Sequence, residues 1–115
     1  MLLNFGHTIG HAVEKYFNYS KYSHGQAVSL GMLEIIKLGT KIKITNPACL
    51  KKALNILQKY NLPTALNIPL NKLSDLILLD KKNIDDKLNL IFIKDIGNSC
   101  VKSFYKNEIK NLFWR

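Results

Sequence analysis

Residues 3–14 read LNFGHTIGHAVE and residues 24–32 read HGQAVSLGM, and these two stretches hold all three histidines of the 115-residue chain. The apolar positions of the first stretch recur at helical spacing, which predicts a helix over residues 3–18. Gly6 and Gly10 are four residues apart, so they share one face of that helix. Because glycine is costly inside a helix, this pair indicates close approach of another backbone or of a ligand.

A polar line runs along another side of the same predicted helix. Asn4, His7, His11 and Glu14 follow one another at spacings of three, four and three residues. Two imidazoles four residues apart can present two nitrogen ligands to zinc, and His24 at the start of a second helix could fold back beside them. From the spacing alone three interpretations stay open: a metal site, hydrogen-bonded packing histidines, or acid–base work without a metal.

The bulk composition bounds the class of protein. With 47% hydrophobic and 22% charged residues, the chain is typical of one soluble globular domain, and it has no apolar run long enough to span a membrane. The net charge of +9 favours an anionic partner. The lysines are not interleaved with aromatic residues, so a small anionic molecule is favoured over nucleic acid. Cys49 and Cys100 lack CxxC spacing, which favours thiols in a reducing, cytoplasmic setting.

Hydrophobic periodicity and turn residues predict the elements of the remaining chain, in a mainly helical fold of four to five helices and one small hairpin. The second helix runs from His24 or Gly25 to about Leu38 and is ended by Gly39, and the third is capped by Asn46, begins with Pro47 and runs to about Tyr60. A fourth helix runs from Leu70 to near Asp80. Strands over residues 88–93 and 100–104, joined by a turn, and a short helix over residues 106–114 complete the chain.

The two histidine-bearing stretches closely resemble the signature of the 3-dehydroquinate synthase family, which is approximately LLNFGHTxGHAxE, a short loop, then HGEAVxxGM. Residues 80–82, which read DKK, and the strand after them resemble a third segment of that family. The resemblance implies that residues 1–115 form the family's mainly helical C-terminal domain, and that the N-terminal NAD-binding domain is absent from this sequence.

The resemblance also implies an activity. The family converts 3-deoxy-D-arabino-heptulosonate 7-phosphate to 3-dehydroquinate and phosphate, in the shikimate route to aromatic amino acids. It uses NAD and a divalent metal, usually zinc and sometimes cobalt. NAD performs the hydride chemistry, and the metal holds neighbouring hydroxyls and polarises the developing ketone.

Several residues of this chain match functional positions of the family. His7 and His24 match two metal ligands, whose third partner is a glutamate upstream of this sequence. His11 matches a catalytic histidine that contacts the reacting hydroxyl and relays a proton. Asn4 matches a substrate-binding asparagine. The resemblance therefore favours the metal-site interpretation, with His11 as a proton relay.

The remaining site residues are less sharply defined. Lys81 or Lys82 matches a lysine near the substrate phosphate, where a cation suits a dianionic group. Glu14 is interpreted as a carboxylate that orients a histidine, or as a solvated helix residue. Gln26 stands where the family usually has Glu, so a charge beside the site is lost. Residues 85–86, both Asp, follow the DKK segment in place of the usual glycine.

These matches set the expected partners. An NAD-binding domain is expected to join this chain in cis or in trans, and a second copy of the chain is a further candidate partner, because the family's enzymes are commonly dimers. The chain by itself is expected to be inactive, since it has no GxGxxG segment and lacks the third metal ligand. Two alternatives stay open: another sugar-phosphate cyclase, such as a 2-deoxy-scyllo-inosose or valiolone synthase, or an inactive metal-binding helical module.

Overall fold

A computed structural model describes residues 7–80, 87–95 and 97–112. Over these residues the fold is mainly helical with one antiparallel hairpin, which confirms the predicted class. The elements in chain order are α1 (His7–Tyr16), α2 (His24–Lys41), α3 (Ala48–Lys59), α4 (Leu70–Asp80), β1 (Lys87–Asp95), β2 (Asn98–Tyr105) and α5 (Lys106–Leu112). None of the helices in the described ranges is long and apolar enough to cross a membrane.

The packing of α1 against α2 places the two histidine-bearing stretches side by side. Ile9 and Val13 of α1 are fully buried in the core. At Gly10 a Cβ atom would lie only 3.0 Å from Val28 Cα and 3.1 Å from Ala27 O. The glycine therefore permits backbone-to-backbone approach, as the sequence predicted for Gly10, while Gly6 lies outside the described residues.

The second helix continues past the glycine that was predicted to end it. α2 extends to Lys41, and Gly39 is buried inside the helix. A Cβ atom at Gly39 would collide with the Thr45 side chain and lie 3.1 Å from Phe92 Cδ1. The left-handed residue that follows the helix is instead Lys43, with a φ of 65°, and Ile44 N donates to Gly39 O at 2.8 Å. The prediction that Gly39 ends the helix was wrong, because this glycine serves packing.

The third and fourth helices agree with their predicted bounds. Asn46 Oδ1 accepts a hydrogen bond from Ala48 N at 3.0 Å, and Pro47 already has helical dihedral angles. This start confirms the predicted cap within one residue, a normal uncertainty of helix ends. Beyond α3, Asn61 takes a left-handed conformation with a φ of 56°.

The hairpin closes the other side of the core. Leu88 pairs with Phe104 and Phe92 with Cys100, and the alternate residues of β1 are buried as a period of two requires. The Phe92 and Phe104 rings meet edge to face, with centroids 6.0 Å apart. Both strands and the turn at Gly97 confirm the predicted hairpin. The predicted end of the last helix, after residue 112, lies outside the described residues.

Candidate functional site

The site region begins where α1 ends. Asn18 N donates to Lys15 O at 3.1 Å and Tyr19 N donates to Glu14 O at 2.8 Å. This pair of bonds is the Schellman motif, which satisfies carbonyl groups at the end of a helix. Asn18 occupies the left-handed position with a φ of 53°, a conformation that asparagine tolerates better than most residues. The motif ties the backbone of Glu14 to the loop that leads to α2.

The start of α2 is held by a capping box. Gln26 N donates to Ser23 Oγ at 3.2 Å, and Ser23 N donates to Gln26 Oε1 at 2.9 Å. These two bonds make His24 the first residue of the helix. The structure thus places Gln26 in the cap beside His24. An amide oxygen accepts this bond as a carboxylate oxygen would, so the cap does not require the family's usual Glu.

Glu14 lies between two of the three histidines. Its Oε1 and Oε2 atoms are each 3.3 Å from His24 Nδ1, and Oε1 is also 3.8 Å from His11 Nδ1. The Glu14 side chain is only 10% exposed, whereas those of His11 and His24 are 46% and 64% exposed. This burial argues against the interpretation of Glu14 as a solvated helix carboxylate.

An aromatic ring that the sequence did not single out lies beside His11. The Tyr19 ring meets the His11 imidazole edge to face, with centroids 6.4 Å apart and an interplanar angle of 73°. Tyr19 has a φ of 59°, directly after the left-handed Asn18. A non-glycine residue in this conformation is strained, and such strain often marks a functional segment. The signal available in the sequence was Asn18, a residue favoured at the left-handed end of a helix.

The structure brings together part of the predicted set. His11, Glu14 and His24 converge where α1 ends and α2 begins. His7 is the first residue of α1, and the description covers its backbone but not its side chain. Asn4, Lys81 and Lys82 lie outside the described residues.

The donor chemistry of this cluster fits part of a metal site. Across residues 7–80, 87–95 and 97–112, no three His, Cys, Asp or Glu side chains are arranged to hold a metal by themselves. However, His24 contacts a carboxylate through Nδ1, an arrangement typical of histidines that bind a metal through their other nitrogen. Two imidazoles together with a ligand from elsewhere would meet the needs of a catalytic divalent ion.

Comparison with solved structures defines the class of fold. A 2-deoxy-scyllo-inosose synthase complexed with carbaglucose-6-phosphate, NAD+ and Co2+ matches 96% of this chain with a TM-score of 0.73. The match covers 32% of that chain at 22% sequence identity, so it establishes the fold alone. The chain therefore has the architecture found in one part of this cyclase.

Sequence comparison identifies the family. The profile described as 3-dehydroquinate synthase C-terminal matches residues 1–83. The 3-dehydroquinate synthase of Clostridium botulinum is 44% identical over 104 residues, which are 90% of this chain and 30% of the relative. The enzyme of Clostridium beijerinckii is 45% identical over 103 residues, 89% of this chain and 29% of that relative. The chain belongs to the 3-dehydroquinate synthase C-terminal family, and it spans about 30% of the length of these curated relatives.

Proposed function

We propose that this chain is the metal- and substrate-binding part of a 3-dehydroquinate synthase, which converts 3-deoxy-D-arabino-heptulosonate 7-phosphate to 3-dehydroquinate and phosphate. The observation that carries the proposal is the convergence of His11 and His24 on the Glu14 carboxylate, which is largely but not fully buried, within the stretch that matches the family. A reaction that moves protons and organises vicinal hydroxyls needs positioned groups that exchange protons and bind a metal, which imidazoles and carboxylates supply.

Each histidine has a proposed role. His7 and His24 would hold a divalent metal, zinc or cobalt, together with a carboxylate from outside this chain. When bound, the metal supplies Lewis acidity toward the hydroxyls and ketone of the substrate. His11 would accept and return the proton of the reacting hydroxyl, because imidazole exchanges protons near neutral pH. Glu14 and Gln26 would help to position these histidines. Glu14 contacts the imidazoles, and Gln26 caps the helix that begins with His24.

The substrate phosphate and carbon skeleton need further groups. Asn4 and one of Lys81 and Lys82 are proposed to bind the substrate, the lysine by pairing its charge with the phosphate. The chain's net charge of +9 suits an anionic substrate of this kind.

NAD and further partners are proposed to lie beyond this chain. The solved 2-deoxy-scyllo-inosose synthase of the same fold is complexed with NAD+ and Co2+, which supports the same pair of cofactors here. NAD would be bound mainly by an N-terminal domain joined in cis or in trans. We further propose a cytoplasmic location and assembly of two copies, since Cys49 and Cys100 are not joined in a disulfide and the family's enzymes are commonly dimers.

A second cyclase activity is the main alternative. The fold of the chain is shared with 2-deoxy-scyllo-inosose synthase, but at 22% identity, against 44–45% for the clostridial 3-dehydroquinate synthases. This difference favours dehydroquinate formation. An inactive metal-binding module is the remaining alternative, and it predicts metal binding without turnover.

The proposal is tested in a chimaera. The corresponding C-terminal part of the Clostridium botulinum synthase is replaced by this chain, and the product is assayed with NAD, Zn2+ or Co2+ and 3-deoxy-D-arabino-heptulosonate 7-phosphate. We expect dehydroquinate formation that His11→Ala reduces by about 100-fold or more, the usual contribution of a general acid–base group. This chain without the NAD-binding part should give no turnover.

Two results would contradict the proposal. A folded chimaera that binds NAD and metal but yields no dehydroquinate would support the inactive module. Conversion of glucose 6-phosphate, whose carbocyclic analogue binds the solved cyclase, would support the second cyclase. The parent Clostridium botulinum enzyme serves as the control for assay conditions.

A further inference from the structure

We propose that Glu14 is a positioning residue that fixes the His24 imidazole in the tautomer that carries its proton on Nδ1, while His11 lies beside the same carboxylate. In this arrangement Nε2 of His24 has the lone pair that is available to the metal. This inference deepens the proposed function and rests on it for the identity of the ligand. The arrangement of the three side chains is independent of that identity.

The contact geometry is the first support. An ionised carboxylate has no hydrogen to donate, so a nitrogen that bonds to it must carry the proton. Both Glu14 oxygens face His24 Nδ1 at the same distance of 3.3 Å. Glu14 Oε1 also lies 3.8 Å from His11 Nδ1, a separation longer than a hydrogen bond, which becomes an ion pair only when this imidazole is protonated. The same nitrogen of each ring therefore faces the one carboxylate.

Burial is the second support. A carboxylate loses water on burial, which is costly unless donors replace that water. Glu34 shows the ordinary solution, because its side chain is 14% exposed and pairs with Lys37 Nζ at 3.6 Å, one helical turn away. Glu14 is similarly buried, and two imidazoles lie within 3.8 Å of its carboxylate. Of these, His24 Nδ1 is near enough to donate a hydrogen bond to it.

The third support is the anchoring of the backbone on both sides. The carbonyl of Glu14 accepts from Tyr19 N at 2.8 Å, and the Ser23–Gln26 capping box holds the first turn of α2. Gly10 allows α1 and α2 to approach closely beneath the cluster. Since the backbones of Glu14 and His24 are both held, the carboxylate has a fixed position from which to orient the His24 ring. Carboxylates that hold ligating histidines in this way commonly affect metal affinity by about 10- to 100-fold.

The first measurement is the tautomeric state of each imidazole in the 115-residue chain. The chain is labelled with 15N-histidine, and long-range 1H–15N correlation spectra are recorded without metal at a pH where the rings are neutral. We expect His24 to have its proton on Nδ1, and Glu14→Gln to give a mixture of tautomers at this ring. A proton on Nε2 of His24 in the unaltered chain would overturn the proposal, whether or not the variant folds.

The second measurement is Co2+ affinity, by calorimetry and by the visible spectrum of the bound ion. Glu14→Gln preserves side-chain size, so it tests the charge, and we expect Co2+ to bind about 10- to 100-fold more weakly. Glu34→Gln removes a carboxylate of similar burial from α2, away from the histidines, and should bind Co2+ as the unaltered chain does. Equal affinities for the unaltered chain and Glu14→Gln would contradict the proposal.

These measurements separate the inference from the proposed function. If the tautomers and Co2+ affinity respond to Glu14→Gln but the chimaera makes no dehydroquinate, the positioning role stands and the assigned reaction fails. If the chimaera turns over normally and Glu14→Gln changes neither tautomer nor affinity, the reaction stands and the positioning role fails.

Discussion

The first two helices end in the same backbone motif, yet the chain leads from the two ends into different environments. After α1, Asn18 takes the left-handed position with a φ of 53°, and the chain turns into an exposed loop where Tyr19 meets the ring of His11. After α2, Lys43 takes that position with a φ of 65°, and the chain turns inward to the buried Thr45. The motif sets the direction of the chain, and the side chains that follow determine whether a polar site or an apolar core results.

The groups that lie inside the protein near the two helix ends also differ. Close to the end of α1, the buried group is the Glu14 carboxylate, which faces two imidazoles. Close to the end of α2, the buried position is Gly39, which contacts the Thr45 and Phe92 side chains. The structure at the end of α1 therefore depends on the charge of a side chain, and the structure at the end of α2 depends on the volume of a side chain. Substitutions that change only charge or only volume should separate these two effects.

The largest effect on stability is expected at the end of α2, where the chain turns into the core. Gly39→Ala places a methyl group against Thr45 and Phe92 and should lower the free energy of unfolding by about 1–3 kcal/mol, the usual cost of overpacking. Chemical denaturation measures this change. Gly25→Ala is the matched control, because a Cβ atom there would meet nothing within 4 Å. An equal change in the free energy of unfolding of the two variants would show that the end of α2 is not tightly packed.

A smaller effect of opposite sign is expected at Lys43. Lys43→Gly removes the side chain from a left-handed position and should raise the free energy of unfolding by about 1 kcal/mol. Asn18→Gly should raise it less, because asparagine tolerates this conformation. The two melting curves test this order, and a larger gain for Asn18→Gly would contradict the account of the two ends.

The ring of Tyr19 should affect catalysis more than stability. In the chimaera, Tyr19→Ala removes the edge-to-face contact with His11, and an aromatic pair of this kind contributes about 0.5–1.5 kcal/mol. Because the His11 ring then loses a contact that restricts its orientation for proton transfer, we expect a several-fold fall in kcat with an unchanged Co2+ affinity. Tyr60→Ala is the control, since Tyr60 is an exposed ring beyond the end of α3. A loss of Co2+ affinity in Tyr19→Ala would contradict a role confined to His11.

The smallest effect is expected at the helix cap. Gln26→Glu restores the residue that is usual in the family, and a carboxylate accepts the Ser23 N–H as the amide oxygen does. The added charge at the helix start should raise the free energy of unfolding by about 0.3–1 kcal/mol. Co2+ affinity should stay within about threefold, because Gln26 caps the helix without being assigned as a ligand. A much larger change in affinity would mean that the residue acts on the metal directly.

Much of this fold could be predicted from the sequence because its signals are local. The hairpin follows from alternating apolar residues around Gly97, and the start of α3 follows from Asn46 and Pro47. Gly39 was misread because a glycine that ends a helix and a glycine that permits packing look alike in one sequence. The distinction depends on Thr45 and Phe92, which reach Gly39 only in the folded chain.

The sequence predicted that His11, Glu14 and His24 would lie near one another, but not how they are arranged. The spacing of His7, His11 and Glu14 indicated one helix face, and the roles that the family resemblance implies stay predictions. The burial of Glu14 and its contact with His24 depend on how closely α1 approaches α2, which is a tertiary property. Tyr19 was missed because its position follows from the bond it makes to Glu14 at the end of α1.

Pulsed electron paramagnetic resonance of the Cu2+-loaded chain tests whether His7 and His24 bind one metal while His11 lies beside it. Cu2+ is a suitable probe because imidazole nitrogens bind it strongly. We expect modulation from two coordinated imidazoles, which falls to one in His7→Ala and in His24→Ala and is unchanged in His11→Ala. Loss of a coordinated imidazole in His11→Ala, with His24→Ala unchanged, would contradict it.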